Sequence, residues 1–281
     1  MMEIHAGKSL DNILDHFNPE YIEERKEMEK INPQVSDLFT LFETLLKKYS
    51  NCLQKHDSLY KQNFNLPEIS PIVSPVVIQA LAFALPVDSD EAKNFFPAFI
   101  TRLMQNSYDA GFNNFYLDLR EKPELKFLGS NLKGRAGKKL KLTVSDNGPE
   151  WWWAQNVEHV LYHTNSTAGL GFAARAKYSH FTVPRGCTLL GYKAEHCYFE
   201  IAESGGYSCA SLAKNCLVLV YNRSVLALEN SYGESAVHCT FKTPDEKTLQ
   251  EFLRGVPDNN QIIMIEKNGS EKIIRKCPPA P

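Results

Sequence analysis

The sequence predicts an α+β protein built on a single β-solenoid of about 19-residue rungs, flanked by an N-terminal helical region and a C-terminal helix plus hairpin. Three observations predict it. First, a short pattern recurs: Gly137–Val144, Ala154–Leu161, Ala176–Val183, Ala194–Ile201 and Ala213–Val220 each begin with a small residue and close on an alternating apolar run. Second, side chains alternate faces along a strand, so the fourth, sixth and eighth residues of each copy point one way. In the clearest copies these are Ser179/Cys197/Cys216, Phe181/Phe199/Val218 and Val183/Ile201/Val220, three columns of matched size. Third, the segments between copies carry Gly or Asn, at Asn147-Gly148, Gly169, Gly171, Gly186, Gly191, Gly205-Gly206 and Asn222. These residues tolerate the positive φ of a coil corner. One rung cannot bury its own apolar face, so its neighbours must.

Residues 1–60 read as helical. Asn18-Pro19 and Asn32-Pro33 each have the form of an N-cap followed by proline at the first helical position. The second of these helices would carry an amphipathic stripe of Val35, Leu38, Phe39, Phe42, Leu45, Leu46, Tyr49 and Leu53. The stripe must pack on the 75–86 helix, on a second copy, or on the solenoid wall, where the outward Leu217 and Leu219 and the tryptophan run offer an apolar surface. Pro67, Pro71 and Pro75 mark residues 61–75 as an extended connection. The apolar stretch Pro75–Pro86 is too short to span a bilayer and reads as a buried helix. A helix from Glu91 or Pro97 to Ala110, closed by Gly111, would cap the front of the solenoid. Phe115, Leu117 and Leu119 lie on one face of a candidate strand, and Val237, Cys239 and Phe241 on one face of another; both strands would be further rungs. At the rear, a helix around Glu246–Arg254 and a hairpin about Asn268-Gly269 would close the coil, followed by a disordered tail at 277–281. The resulting division is 1–111 helical and capping, 112–244 solenoid, and 245–281 helix, hairpin and tail.

Gly134-Arg-Ala-Gly137 through Val144, Asn147-Gly148, Ala168-Gly-Leu-Gly171 through Val183 and Leu190-Gly191 through Ile201 carry a family likeness. They resemble the GXGXG-type right-handed β-helix found as the C-terminal domain of the large chain of glutamate synthase and in the formylmethanofuran dehydrogenase C subunit. The resemblance covers about residues 112–241. Ser, Ala and Leu replace glycine at several corners. It implies a structural or assembly role and carries over no catalytic residue.

Composition narrows the function. In 281 residues, 31 basic side chains stand against 33 acidic ones and 43% are hydrophobic, which fits neither bulk disorder nor a general nucleic-acid field. The chain opens without a basic-then-apolar leader, so the seven cysteines read as free thiols of a reducing, cytoplasmic setting. No nucleophile–base spacing is recognisable. No cofactor follows from the sequence.

Four features have chemistry to weigh. Cys197 and Cys216 share a column and would suit a metal or iron–sulfur cluster. The absence of any Cys-x-x-Cys favours a simpler role as small interior residues, with no metal. On adjacent rungs Tyr178 should stack beside His196 and His180 beside Tyr198, a His/Tyr face able to meet a ligand or a protein, with no carboxylate placed beside it by spacing. Lys138, Lys139 and Lys141 belong to an acid-free stretch, 126–141, that would contact phosphate or nucleic acid. Trp151, Trp152 and Trp153 cannot all face one interior, so at least one is outward, under the helices or at a partner. Together these favour a non-enzymatic module that assembles with itself or a protein partner. A redox or metal protein and a nucleic-acid binder are the alternatives.

Overall fold

A computed structural model describes residues 22–55, 69–122, 125–146, 153–186, 189–204, 209–223 and 232–276; within 22–55, side chains are described for 33–49. The tail at 277–281, Asn18-Pro19 and Asn147-Gly148 lie outside the described residues. The chain forms a β-solenoid. Its helices are α1 (Ile22–Lys55), α2 (Pro75–Ala84), α3 (Asp90–Asp109) and α4 (Glu246–Gly255). The strands are β1 (Asn114–Asp118), β2 (Leu140–Ser145), β3 (Val160–Thr164), β4 (Thr167–Ala168), β5 (His180–Gly186), β6 (Tyr198–Ser204), β7 (Leu217–Arg223), β8 (Thr240–Thr243), β9 (Gln261–Ile265) and β10 (Glu271–Arg275). All of β1, β2, β3, β5, β6, β7, β8 and β9 pair in parallel in that order, β4 pairs with β5, and β10 closes the sheet antiparallel to β9.

Register fixes the rungs. Val144 pairs with Thr164, Val183 with Ile201 and Ile201 with Val220, while Phe241 follows Val218 and Ile262 follows Phe241. The second copy is therefore Val157–Thr164, not Ala154–Leu161: the sequence pattern places it three residues early. With this correction the five copies end at 144, 164, 183, 201 and 220, a more even spacing, and the next rung ends at 243. The misreading has a physical source. Ala154 belongs to another small column, Ala154/Ala173/Gly191/Ala210/Gly233, in which every residue has positive φ. At its two glycines the column is small because the sixth-position ring lies under it. A Cβ on Gly191 would meet Phe199 Cζ at 2.6 Å, and one on Gly233 would meet Phe241 Cζ at 2.5 Å.

The interior has two walls. One consists of the strand columns, with Phe115, Leu142, Tyr162, Phe181, Phe199, Val218, Phe241 and Ile262 successively aligned. Facing them are Leu128, Trp153, Phe172, Leu190, Cys209 and Tyr232, all buried. Phe172 meets Tyr162 edge-on at 5.1 Å and Phe181 at 5.8 Å. Each buried ring of this kind contributes on the order of 1.5–3 kcal/mol.

Corners are not made by glycine alone. His159, Tyr178, His196, Asn215 and His238 all adopt φ between 50° and 54° just before their strands, and Asn156, Arg175, Lys193, Leu212 and Ser235 adopt φ between 52° and 58° three residues earlier. A bulky residue in this region is strained by itself. Here inter-rung hydrogen bonds fix it: His159 N donates to Lys177 O at 3.1 Å, Tyr178 N to Glu195 O at 3.1 Å and His196 N to Lys214 O at 2.9 Å.

Helices close the front. The stripe of α1 buries Val35, Leu38, Phe42 and Leu45 against α2 and α3, with Phe42 5.4 Å from Phe95 and 5.2 Å from Phe99. It does not lie on Leu217 and Leu219, because the ring-rich face of α3 is the surface within reach. Pro33 sits inside α1 instead of starting a helix. Its missing N–H removes one backbone bond, and the strong helix formers before it sustain the run. The connection Ile69–Val73 is held to α3: Asn106 Nδ2 donates to Ile69 O at 2.7 Å, and Val73 N donates to Ser107 Oγ at 3.3 Å. Lys122 Nζ donates to Phe83 O and Leu85 O, both at 2.6 Å, at the carbonyl end of α2.

α3 also supplies bonds that a preceding rung would make. Gln105 Oε1 accepts from Lys133 N at 2.8 Å while its Nε2 donates to Lys133 O at 3.1 Å, and Thr101 Oγ1 accepts from Gly129 N at 2.9 Å. An amide side chain is thus used as a one-residue mimic of a strand edge. Gln105→Leu should lower stability by about 1–3 kcal/mol, since two backbone groups lose their partner. Urea melts of the two proteins check this; equal midpoints would show that water serves the site as well.

Candidate interaction surfaces

The strand-side column that contains the cysteines is a hydrogen-bond ladder. Position four holds Ser179, Cys197, Cys216, Cys239 and Asn260 on successive rungs. Each accepts a backbone N–H from the rung before: Val160 N to Ser179 Oγ at 3.0 Å, Cys197 N to Cys216 Sγ at 3.4 Å, Cys216 N to Cys239 Sγ at 3.3 Å and Cys239 N to Asn260 Oδ1 at 2.7 Å. Ser179 and the three thiols also donate to the carbonyl two residues earlier, for instance Ser179 Oγ to Lys177 O at 2.7 Å and Cys216 Sγ to Lys214 O at 3.3 Å. The positive-φ residue at position three turns the next N–H along the coil axis. A small side chain with a lone pair satisfies it. Among the described residues no group of His, Cys, Asp or Glu is placed to hold a metal.

Hydrogen bonds along the ladder and burial set the thiol chemistry, and the bond with Cys216 lowers Cys197. Cys209, in the opposite wall, is pushed up to about 12 by desolvation alone. Cys216 rises to about 12, first through its hydrogen bond with Cys197, and Cys239 rises through its bond with Cys216. Cys209 gives a clean pH test. Its folded pKa is raised above the usual value of 9, so its stabilising contribution is whole below pH 9 and is lost as pH rises toward 12. Relative to Cys209→Ala, the wild type should lose about 1.4 kcal/mol per pH unit above 9. Paired urea titrations at pH 8 and 11 check the sign; a constant gap would mean the thiol ionises in place.

The His/Tyr residues form two separate stacks. His159, Tyr178 and His196 stack at the corner, with centroids 5.1 Å apart in each step and planes within 14° and 9°. His180 and Tyr198 meet at 4.4 Å on the outer wall of the strands. The two stacks separate because position three is at the turn and position five is within the strand. In the corner stack Tyr178 is covered by a ring on both faces and His159 and His196 on one, so that stack offers mainly edges to a ligand. Beside it runs a column of alternating charge, Lys133, Glu158, Lys177, Glu195 and Lys214, joined rung to rung by parallel backbone bridges, with ion pairs at Lys133–Glu158 and Lys177–Glu195. Lys177 Nζ lies 3.0 Å from Glu195 Oε2, which raises the lysine and lowers the carboxylate. Such exposed pairs set register more than they add stability.

Spacing alone misses Glu200 and Tyr221. Glu200 Oε2 is 3.8 Å from His180 Nε2, and Tyr221 Oη donates to Glu200 Oε1 at 3.1 Å. The pairing of Thr182 with Glu200 is the available signal, since it puts the carboxylate diagonal to His180. Burial lowers His180, Glu200 opposes this, and Lys139 adds to the lowering. The imidazole is therefore neutral at pH 7, and this cluster is a shallow polar patch on the strand wall.

The basic segment is dispersed. Lys138 Nζ donates to Gly111 O, Lys133 Nζ donates to Asn156 O at 3.0 Å, Lys139 lies toward His180, and Lys141 is exposed on β2. Trp153 is fully buried and its Nε1 donates to Leu125 O at 2.9 Å, so it is a core residue. Trp151 and Trp152 lie outside the described residues.

The two ends of the sheet differ. β1 at the front is packed by α2. At the rear β10 has β9 on one side and no described strand on the other. The register slips by one residue between Ile273 and Arg275, a bulge of the kind that blunts sheet edges. Yet Ile273 and Ile274 are 48% and 37% exposed. Each lines a groove. Ile273 and Glu271 border one of about 500 Å³ with Leu217, Thr240, Lys242 and Ile263; Ile274 and Lys272 border another of about 590 Å³ with Leu249 and Met264. Lys242 Nζ meets Glu271 Oε1 at 2.7 Å and Arg275 Nη1 meets Asp258 Oδ1 at 2.9 Å. Among the described residues no helix is long and apolar enough to cross a membrane.

No family model, no curated protein and no solved structure matches this chain.

Proposed function

We propose that the chain is a non-enzymatic assembly module that binds a second copy of itself or another protein. The asymmetry of its ends carries this reading: the front edge is covered by helices, while the rear edge β10 leaves two isoleucines and two grooves uncovered by described elements. The strand wall supports it in another way. Its ring faces, charges and thiols are largely engaged with neighbouring rungs, which suits a scaffold better than a reacting centre. The free thiols of the inner column fit a reducing, cytoplasmic setting. Kinship with GXGXG-type β-helix domains would fit as well, since such domains are assembly parts of larger enzymes. Light scattering on protein purified from its native source tests the reading. It expects a mass of two chains or more, or a stable complex. A strictly monomeric native protein overturns it.

A further inference from the structure

We infer that Cys197 and Cys216 are a modification site: a hydroperoxide oxidises them to a reversible disulfide across two rungs of the coil. The inference is independent of the assembly reading and gives the inner column a chemistry of its own.

Register places the pair. The backbone bridge of Glu195 with Lys214 on one side, and the pairing of Tyr198 with Leu217 on the other, set Cys197 opposite Cys216. Neighbouring strands stand about 4.8 Å apart, inside the span of about 4.4–6.8 Å between the Cα atoms of a disulfide. Both side chains are buried in the coil, and the two thiols are hydrogen-bonded to each other. On the preceding rung the column holds Ser179, so Cys216 is the thiol beside Cys197. Cys209 has no such neighbour, because Leu190 and Tyr232 flank it in the opposite wall.

Oxidation leaves no carbonyl without a partner. Cys197 Sγ donates to Glu195 O and Cys216 Sγ to Lys214 O, both at 3.3 Å, and a disulfide loses both hydrogens. Glu195 O also accepts from Tyr178 N at 3.1 Å, and Lys214 O from His196 N at 2.9 Å. Ala194 O, the further acceptor of the Cys216 thiol at 3.5 Å, also accepts from Lys214 N at 2.8 Å. The corner bonds therefore keep every one of these groups satisfied.

Cys197 starts the reaction. It lies one residue inside the surface, directly after the exposed His196. The bond from Cys216 favours its thiolate, whereas Cys216, Cys239 and Cys209 are all held toward the thiol. The thiolate attacks one oxygen of hydrogen peroxide, the O–O bond breaks, and the departing hydroxide takes a proton to leave as water. Cys197 is then a sulfenic acid. The sulfur of Cys216 attacks the sulfenic sulfur, the S–S bond forms, and the sulfenic hydroxyl leaves as water with the Cys216 proton. Two thiols and one peroxide give one disulfide and two waters, and exchange with a reducing thiol reverses the change.

The test uses the full chain, reduced and then freed of reductant. Hydrogen peroxide is added to the folded protein, remaining thiols are capped with N-ethylmaleimide in denaturant, and trypsin cuts at Lys214 between the two cysteines. Mass spectrometry should find a 197–216 link that dithiothreitol removes, with Cys209 and Cys239 capped as free thiols. Cys216→Ser keeps a donor and an acceptor in the ladder, so it should melt as the wild type does. Under peroxide it should form no link and should carry a dimedone adduct at Cys197. Wild type in which Cys197 and Cys216 are both capped as free thiols overturns the inference. So does a 216–239 link in place of 197–216, or a 197–216 link that forms only in urea. A Cys216→Ser protein with no adduct at Cys197 overturns that residue as the attacking thiol.

Discussion

Phe199→Asp is expected to abolish the cooperative fold of the solenoid. The ring is fully buried, stacked on Phe181 at 5.2 Å with planes 12° apart, and seated under the positive-φ Gly191. Removing it forfeits about 3–5 kcal/mol in transfer and cavity terms. The carboxylate adds the cost of a buried charge: Val218 on the next rung offers no hydrogen bond, and the wall opposite is Phe172 and Leu190. The total is comparable to the whole stability of a typical domain. Because each rung is the floor of the next, the loss spreads to its neighbours. Circular dichroism melts check this, and a transition within a degree or two of wild type would refute the stacked interior.

Phe199 is legible in the sequence because columns of matched size need only periodicity to be seen. Alternation alone turns Phe181, Phe199 and Val218 inward, with Ser179, Cys197 and Cys216, and β5, β6 and β7 align them that way. The second rung is misplaced by the same pattern because small size has two causes in this fold. Ala176, Ala194 and Ala213 are small ahead of the strand, whereas Gly191 and Gly233, in the column of Ala154, are small because a ring sits beneath them. A pattern of small residues cannot separate the two. Corner residues are the larger gap. Glycine and asparagine are the residues expected at positive φ, yet His159, Tyr178 and His196 turn the chain there, at a cost met by inter-rung bonds that no local motif encodes. The cluster of His180, Glu200 and Tyr221 is hidden for a related reason. It joins three rungs diagonally and becomes visible only after register is fixed.

Removal of residues 1–60 is expected to cause aggregation, through a surface different from the wall that the sequence suggests. The α1 stripe covers α3, not Leu217 and Leu219. Val35, Leu38, Phe42 and Leu45 are each at most 4% exposed, and their partners Phe95 and Phe99 are wholly buried. Without α1, those two rings and the part of α2 that packs on α1 meet water. Exposed contiguous apolar area of this kind drives association. The solenoid itself should persist, because α3 keeps its bonds to the first rung through Gln105 and Thr101. The truncated protein should therefore retain its strand signal in circular dichroism while light scattering rises with concentration. Phe95→Ser with Phe99→Ser in the truncated chain should reduce that scattering. If the truncated protein stays dispersed, with the association state and melting temperature of the full chain, α1 is an independent arm and its stripe awaits a different partner.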